Sequence, residues 1–164
     1  MIYGIVYTSN TGFTKRYAQK LSEITQIPLY ELNDKSLKKG SKVVYLGWLM
    51  AGQLKGYKKA KRKFDIVAVG AVSLGTGAEE TKKANKITCP VYWLQGGMDH
   101  QKLTGIYKTM IDTLIRFLEK RNDESQKEML NMIKADGDYY NEANLKEITE
   151  YIKKGKHFCL PSVC

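Results

Sequence analysis

The first residues that could do chemistry are hydroxyl-bearing side chains around a glycine, near the start of the chain. Ser9, Thr11 and Thr14 surround Gly12 directly after an apolar run of strand type, residues 2–7. A helical pattern follows at once, with apolar residues recurring at three- and four-residue spacing. A strand that leads into a helix in this way directs the unpaired N–H groups of the helix N-terminus at one place. The sequence therefore predicts an anion-binding site, where the glycine allows the backbone to approach the ligand closely.

The absence of several known motifs restricts which kind of phosphate-binding site this turn can form. The turn lacks the Gly-Lys-Ser/Thr of P-loop nucleotide hydrolases and the Gly-x-Gly-x-x-Gly of dinucleotide-binding helices. The chain has no Cys-x5-Arg, which argues against a thiol phosphatase. A receiver domain would need acidic residues after the first strand, where this chain has Tyr7, Thr8 and Ser9. These exclusions favour a phosphate group held by hydroxyls and backbone N–H groups.

Residues 5–21 resemble the FMN-phosphate signature of the flavodoxin family. The matching pattern is Ile5-Val6-Tyr7-x-Ser9-x-x-Gly12-x-Thr14-x-x-x-Ala18-x-x-Leu21. The resemblance implies that the cofactor is FMN. It also implies that the phosphate is held by the loop residues Ser9, Asn10, Thr11, Gly12, Phe13 and Thr14. The alternative is an ordinary strand–turn–helix with chance hydroxyls.

Two further loops are expected to hold the flavin ring, because ligands of a doubly wound sheet bind at the carboxyl ends of its strands. The resemblance places Trp48 against the isoalloxazine ring, where a planar aromatic excludes water; alternatively, Trp48 fills the core. One side of the ring would be lined by Trp48, Leu49, Met50, Ala51 and Gly52. The other side would be lined by Ser73, Leu74, Gly75 and Thr76, and the mouth would be closed by Gly97, Met98 and Asp99.

Strand and helix patterns alternate along the first 95 residues. Strands are expected at 2–7, 28–32, 42–47, 65–72 and 90–95, and helices at about 14–24, 54–63 and 78–86. This alternation predicts an α/β fold with a parallel sheet covered by helices on both faces. The flavodoxin resemblance implies a doubly wound, five-stranded sheet of order 2-1-3-4-5. The length of 164 residues suits a single domain.

The last third of the chain departs from a minimal flavodoxin. Residues of about 101–138 form an insertion between strand 5 and a last helix, which Asn141 is expected to cap. The insertion begins with an amphipathic helical pattern to about 121, whose basic fringe is Lys102, Lys108, Arg116, Lys120 and Arg121. Its layout resembles menaquinone-dependent protoporphyrinogen oxidase and related flavodoxin-domain proteins. The helix either packs on its own domain or makes a peripheral contact with an anionic membrane surface.

The formal net charge of +10 also departs from the acidic character usual in flavodoxins. Six of the nine residues in 55–63 are lysine or arginine. Such a stretch either attracts acidic partners or forms a solvated helix face. Nucleic acid is not expected as a partner, because no binding motif accompanies the lysines.

The cysteines and the chain start suggest a cytoplasmic protein. Cys89, Cys159 and Cys164 show no metal-ligand spacing, and we interpret them as bystanders in a reducing compartment. No signal-peptide pattern and no apolar run of transmembrane length is present. We therefore expect a cytoplasmic location, with the membrane contact of the basic helix as a peripheral addition.

Three functions stay open at this point. The first is an FMN-binding, flavodoxin-like electron carrier that docks on a redox partner protein. The second is an FMN-dependent oxidoreductase that acts on a quinone or a porphyrinogen, and the third is an anion-binding module without flavin. None of them needs a catalytic nucleophile or a metal ligand from this chain. His100 follows the Gly97–Asp99 loop and either relays a proton or is simply exposed.

Overall fold

The computed structural model describes residues 1–103, 105–121 and 123–157. Within these ranges the chain forms six strands, six α-helices and one 3-10 helix. The elements in chain order are β1 (Gly4–Tyr7), α1 (Phe13–Thr25), β2 (Leu29–Glu31), β3 (Lys42–Met50), β4 (Gln53–Leu54), α2 (Tyr57–Lys63), β5 (Asp65–Ser73), α3 (Ala78–Ala84), β6 (Val91–Gln95), α4 (Gly105–Glu119), α5 (Glu124–Lys134), the 3-10 helix Glu142–Leu145 and α6 (Lys146–His157).

The strands form an open, mostly parallel sheet, which confirms the predicted α/β class. Along the parallel path the order is β2-β1-β3-β5-β6. Alternate residues of each strand face opposite sides of the sheet. Ile5 and Val44 belong to a core cluster with α1 and α6, whereas their neighbours Val6 and Tyr45 belong to a second cluster with α2. Both faces of the sheet are therefore covered, as the near-continuous apolar strands require.

The predicted strand count of five is wrong, because β3 does not end at Gly47. It continues to Met50, turns at Ala51 and Gly52, and returns as the short antiparallel strand β4. The two turn residues have φ angles of 50° and 74°, and positive φ at both central positions is typical of the tightest hairpins. Because β4 takes a number but lies off the parallel path, the order reads 2-1-3-5-6 in place of the predicted 2-1-3-4-5. The extra strand also delays the start of α2, which was expected at residue 54.

The expected insertion contains two helices rather than one. α4 ends at Glu119, and α5 occupies a stretch between the amphipathic pattern and the last helix, where no helix was predicted. The two helices share a third core cluster with residues of β3, which includes Met50, Ile111 and Ile133. The ends of the insertion meet, since Gly97 forms an antiparallel bridge with Asp138.

The expected end of the chain is confirmed in part. The Asn141 side chain accepts a hydrogen bond of 3.0 Å from the backbone N–H of Ala143 and caps the 3-10 helix, which leads directly into α6. Cys89 is half-buried, and burial raises the pKa of its thiol. Cys159 and Cys164 lie outside the described residues. None of the helices in the described ranges is long and apolar enough to cross a membrane.

Candidate cofactor site

A cleft of about 240 Å³ opens at the carboxyl ends of β1, β3, β5 and β6. It brings together residues from all the loops that were expected to bind the cofactor. Those in its lining are Ser9, Asn10, Thr11, Phe13, Thr14, Trp48, Leu49, Met50, Ala51, Gly52, Ser73, Leu74, Gly75, Thr76, Gly97 and Met98. The other two expected residues, Gly12 and Asp99, line an adjoining polar cleft that shares Thr11, Phe13 and Met98 with the first. The binding of FMN by these residues stays a prediction.

The loop between β1 and α1 presents the start of the helix to both clefts. Gly12 has a φ of 101°, which only glycine adopts readily, and it occupies the N-cap position of α1. Its N–H donates to the Ser9 hydroxyl at 3.2 Å, and its carbonyl accepts the first helical bond from Arg16. No side chain of the described residues caps this helix. The N–H groups of its first turn therefore have no intrahelical acceptor.

Asn10 supplies an unusual feature of the same loop. Its Nδ2 atom is buried and has no hydrogen-bond partner among the described residues. A buried amide donor without an acceptor costs about 1–3 kcal/mol. Because Asn10 lines the main cleft, an acceptor atom of a ligand in that cleft could satisfy this donor.

The far wall of the cleft is apolar and comes from α4, α5 and the segment before α4. The residues that sequence reasoning did not assign to the site are Val72, Gly96, Leu103, Ile111, Leu114, Met129 and Ile133. The Trp48 ring meets the Tyr107 ring of α4 edge-on, with 5.1 Å between centroids. The apolar periodicity of this region indicates a buried face, but periodicity does not show which part of the molecule that face covers. Trp48 both lines the cleft and packs against the core.

Asn85, just after α3, holds the β3–β4 hairpin in place. Its Oδ1 accepts from the Leu54 N–H at 2.8 Å, and its Nδ2 donates to the Gly52 carbonyl at 2.9 Å. The same Nδ2 also reaches the Thr81 carbonyl at 3.0 Å. One side chain thus fixes the turn whose residues Ala51 and Gly52 line the cleft.

The loop after β5 is held by a second short network. The Trp93 Nε1–H donates to the Ser73 hydroxyl at 2.8 Å, and that hydroxyl donates to the Thr76 carbonyl at 2.8 Å. The β6 strand therefore fixes the shape of the loop on the opposite wall of the cleft. Ser73 acts here as a structural bridge within the loop.

The adjoining cleft is polar and carries paired charges. Arg16 contacts Asp138 at 2.6 Å, and its guanidinium lies 3.9 Å from the centroid of the Tyr140 ring. Lys102 contacts Asp99 at 2.8 Å, and the hydrogen bond from Lys102 lowers the pKa of that carboxyl. Arg16 and Lys102 each have a carboxylate partner, and a third carboxylate, Asp136, leaves this lining with one more acidic than basic side chain.

His100 and the lysines of α2 are part of neither lining, although His100 lies between Asp99 and Gln101 of the adjoining cleft. The Nδ1 of His100 contacts Asp136 Oδ1 at 2.7 Å. Neither lining includes any lysine of α2. Instead Lys59 donates to Asn33 at 2.6 Å and Lys63 donates to the Leu32 carbonyl at 3.1 Å.

Comparison with known proteins assigns no family to the chain. No model of a known protein family matches this sequence, and no curated protein matches it. The resemblance to flavodoxins therefore rests on residues 5–21 and on the layout of the site residues, and it stays a prediction.

Proposed function

We propose that this protein is a flavodoxin-like, FMN-binding redox protein that transfers electrons to a partner protein in the cytoplasm. The observation that carries the proposal is the junction of two unlike surfaces in one cleft. At one end lie the N-terminus of α1, which no described side chain caps, and the Asn10 Nδ2 atom, which has no partner among the described residues. At the other end lie apolar side chains from the hairpin and the insertion helices. A ligand with a charged tail and a flat apolar ring suits that combination.

The donors present fit the phosphate of FMN. The first-turn N–H groups of α1 carry the positive end of the helix dipole, which favours an anion. The Thr11 and Thr14 hydroxyls and the Asn10 amide stand in the same lining. The Ser9 hydroxyl already accepts from Gly12 N–H and keeps its own proton for a further acceptor. No carboxylate of the described residues lines the main cleft, so no fixed negative charge opposes a phosphate there.

Each wall of the cleft has its own part in the proposed function. When bound, FMN supplies electron transfer through its ring, and the chain supplies position and environment. Trp48, Leu74 and Met98 exclude water from the ring site and lower its effective dielectric constant. The Ser73–Thr76 loop is fixed in shape and offers backbone groups to the polar edge of the ring. No side chain of this chain is required to form a bond with a substrate.

An FMN titration followed by visible absorption and flavin fluorescence tests the proposal. We expect shifted flavin bands and quenched fluorescence, because the ring would enter an apolar site beside Trp48. Riboflavin is the matched control ligand, since it has the same ring without the phosphate. It should bind at least about tenfold more weakly, because charged hydrogen bonds to the α1 loop are lost. A protein indifferent to FMN would contradict both redox functions and leave an anion-binding module.

A second candidate function is an FMN-dependent oxidoreductase that acts on a quinone or a porphyrinogen. The observation that favours it is the wall from α4 and α5, where Leu114, Met129 and Ile133 extend the apolar lining. Such a wall suits a flat apolar substrate. Reduction in two separate one-electron steps would support the carrier, whereas rapid two-electron reoxidation by a quinone would support the enzyme. Leu114→Asp should slow the quinone reaction and leave reduction by dithionite unchanged.

A further inference from the structure

The outer side of α4 leaves two large apolar side chains, Ile106 and Phe117, in solvent, with the exposed Thr113 and the half-buried Met110 between them. Ile106, Met110, Thr113 and Phe117 follow one another at four-, three- and four-residue spacing, so they lie on one side of the helix. We refer to these four residues as the outer strip. Ile106 is 70% exposed and Phe117 is 50% exposed. Their separation of eleven residues corresponds to about 16 Å along the helix axis.

Cations border the outer strip at its C-terminal end. The Arg121 guanidinium lies 4.5 Å from the centroid of the Phe117 ring. Arg116 and Lys120 are both exposed. Arg116 is three residues after Thr113, and Lys120, just past the end of α4, is three residues after Phe117. The α4 carboxylates fall on a different side of the helix by the same periodicity, and one of them, Glu119, is bound to Lys134 at 2.5 Å. The strip thus combines exposed apolar groups with long, flexible cationic side chains.

The outer strip is continuous with the wall of the main cleft. Leu114 lies one turn from Met110 and belongs to the cleft lining. Tyr107, which follows Ile106, contacts the Trp48 ring from the insertion side. An apolar surface therefore runs from the cleft across Met110 to the exposed side chains.

We propose that α4 lies flat on the surface of a bilayer that contains anionic lipids. Ile106 and Phe117 enter the acyl region, while Arg116, Lys120 and Arg121 extend to the phosphate groups of the lipids. A formal charge of +10 for the chain adds long-range attraction to such a surface. A bilayer fits better than a protein partner, because the strip is one convex helix face and a fluid surface needs no matching groove. The contact places the cleft beside the membrane, and it does not depend on whether the cleft holds FMN.

Sedimentation with lipid vesicles tests this inference. The full chain should bind vesicles of phosphatidylcholine mixed with phosphatidylglycerol. It should not bind vesicles made only of phosphatidylcholine. The double variant Ile106→Ser/Phe117→Ser should bind the mixed vesicles at least about tenfold more weakly, because the two apolar side chains that enter the acyl region are lost. The triple variant Arg116→Gln/Lys120→Gln/Arg121→Gln should lose about fivefold for each cation.

A matched control uses exposed apolar residues outside α4. Tyr3 is 55% exposed and Ile24 is 40% exposed, and Tyr3→Ser/Ile24→Ser should bind the mixed vesicles as the unmodified chain does. None of the four apolar positions lines the main cleft, so FMN affinity should be the same in all these proteins. This keeps a failure of the membrane contact distinct from a failure of cofactor binding.

Several outcomes would overturn the inference. One is the absence of vesicle binding, which would leave the strip for an acidic protein partner. Another is equal loss of binding in both double variants, which would show that the effect is not specific to α4. Tryptophan fluorescence gives an independent test. The emission of Phe117→Trp should move to shorter wavelength with mixed vesicles, while the emission of Tyr3→Trp stays constant. An unchanged emission of Phe117→Trp would exclude insertion at this position.

Discussion

Gly12 combines a left-handed backbone with open space for a side chain. Its φ is 101°, and a Cβ built there meets no atom within 4 Å. Gly12→Val is therefore expected to strain the backbone rather than to clash, at a cost of about 1–3 kcal/mol. The strain should displace the first-turn N–H groups of α1 and weaken FMN binding at least about tenfold, as measured by fluorescence titration.

Gly40 provides the matched control for that substitution. It also has a positive φ, 80°, with no atom within 4 Å of a Cβ, and it lines neither described cleft. Gly40→Val should lose similar stability and keep its affinity for FMN. If Gly12→Val bound FMN as tightly as Gly40→Val does, the assignment of the phosphate loop would be wrong.

Asn10 should show opposite effects on stability and on binding. Asn10→Ala removes a buried donor that has no partner in the described part of the chain, so the protein without ligand should gain about 1 kcal/mol of unfolding free energy. The same change removes a proposed hydrogen bond to the phosphate, so FMN affinity should fall about tenfold. Urea unfolding and an FMN titration measure the two effects separately.

Thr149 serves as the control for Asn10, because its buried hydroxyl also lacks a partner in the part of the chain described. Thr149 lies in α6 and outside the cleft lining. Thr149→Val should raise stability and leave FMN binding as it is. A loss of stability in Asn10→Ala would contradict the inference that the Asn10 amide donor is unsatisfied until a ligand binds.

At the level of elements, the β3–β4 hairpin depends on Asn85. Asn85→Ala leaves the Leu54 N–H and the Gly52 carbonyl without their side-chain partners, and the unfolding free energy should fall by about 2–3 kcal/mol. FMN affinity should fall as well, because the freed turn forms part of the cleft. Asn85→Asp should have a smaller effect, since it retains the acceptor for Leu54.

Asn33→Ala offers a matched comparison for the hairpin prediction. Asn33 makes a single exposed contact with Lys59, and its loss should change stability by less than about 0.5 kcal/mol. Thermal and denaturant unfolding of the variants give the comparison. Equal stability of Asn85→Ala and Asn33→Ala would show that the hairpin does not need its tether.

The elements also show what local patterns can and cannot predict. The positions of α1, β5 and β6 follow from apolar periodicity within one or two residues, because each buries a regular face. The continuation of β3 past Gly47 did not follow, since the Ala51–Gly52 turn needs a positive φ at an alanine, which composition does not signal. α5 was missed because its apolar residues are few, and its partner α4 decides their burial.

The sequence predicted which loops converge at the cleft, and the binding of a cofactor by them stays a prediction. The loops after the strands converge because parallel strands end at one edge, and that follows from topology alone. The far wall was not predictable, because Leu114 and Met129 are close to the cleft only through the packing of α4 on α5. The hydrogen bonds from Asn85 to the hairpin were not predicted either, because an asparagine after a helix is usually interpreted as a cap or turn residue.

At the scale of the whole molecule, buried tyrosines make stability sensitive to alkali. Burial raises the pKa of Tyr45, whose hydroxyl donates to the Lys55 carbonyl at 2.5 Å. Burial, with Glu31 beside it, also raises the pKa of Tyr7 to about 12. A raised pKa in the folded state means that the unfolded chain loses its proton first as pH rises. The stability contribution is therefore complete below the ordinary tyrosine pKa of about 10 and is lost above it.

We expect the midpoint of urea unfolding to fall as pH rises from about 10 to about 12. Tyr45→Phe should be less stable near neutrality, because the Lys55 carbonyl loses its donor, but its decline with pH should be shallower. Tyrosinate absorbance in the ultraviolet reports the ionisation directly. A midpoint that stays constant over this pH range, or parallel profiles for the two proteins, would contradict the role of Tyr45.

The bridge at the base of the insertion has a consequence for how this chain can vary. Gly97 pairs with Asp138, and the Met98 N–H donates to the Gly137 carbonyl at 3.0 Å. The pairing of residues 97–98 with residues 137–138, which we call the neck, therefore closes the base of the insertion. It holds the sheet and α6 together whatever length of chain lies between its two sides. Loop closure becomes only slightly more costly with length, by about 0.6 kcal/mol for each doubling. Residues beyond the neck can thus be lengthened, shortened or exchanged while the anion loop keeps its geometry, so the apolar wall of the cleft can change independently of the proposed phosphate site.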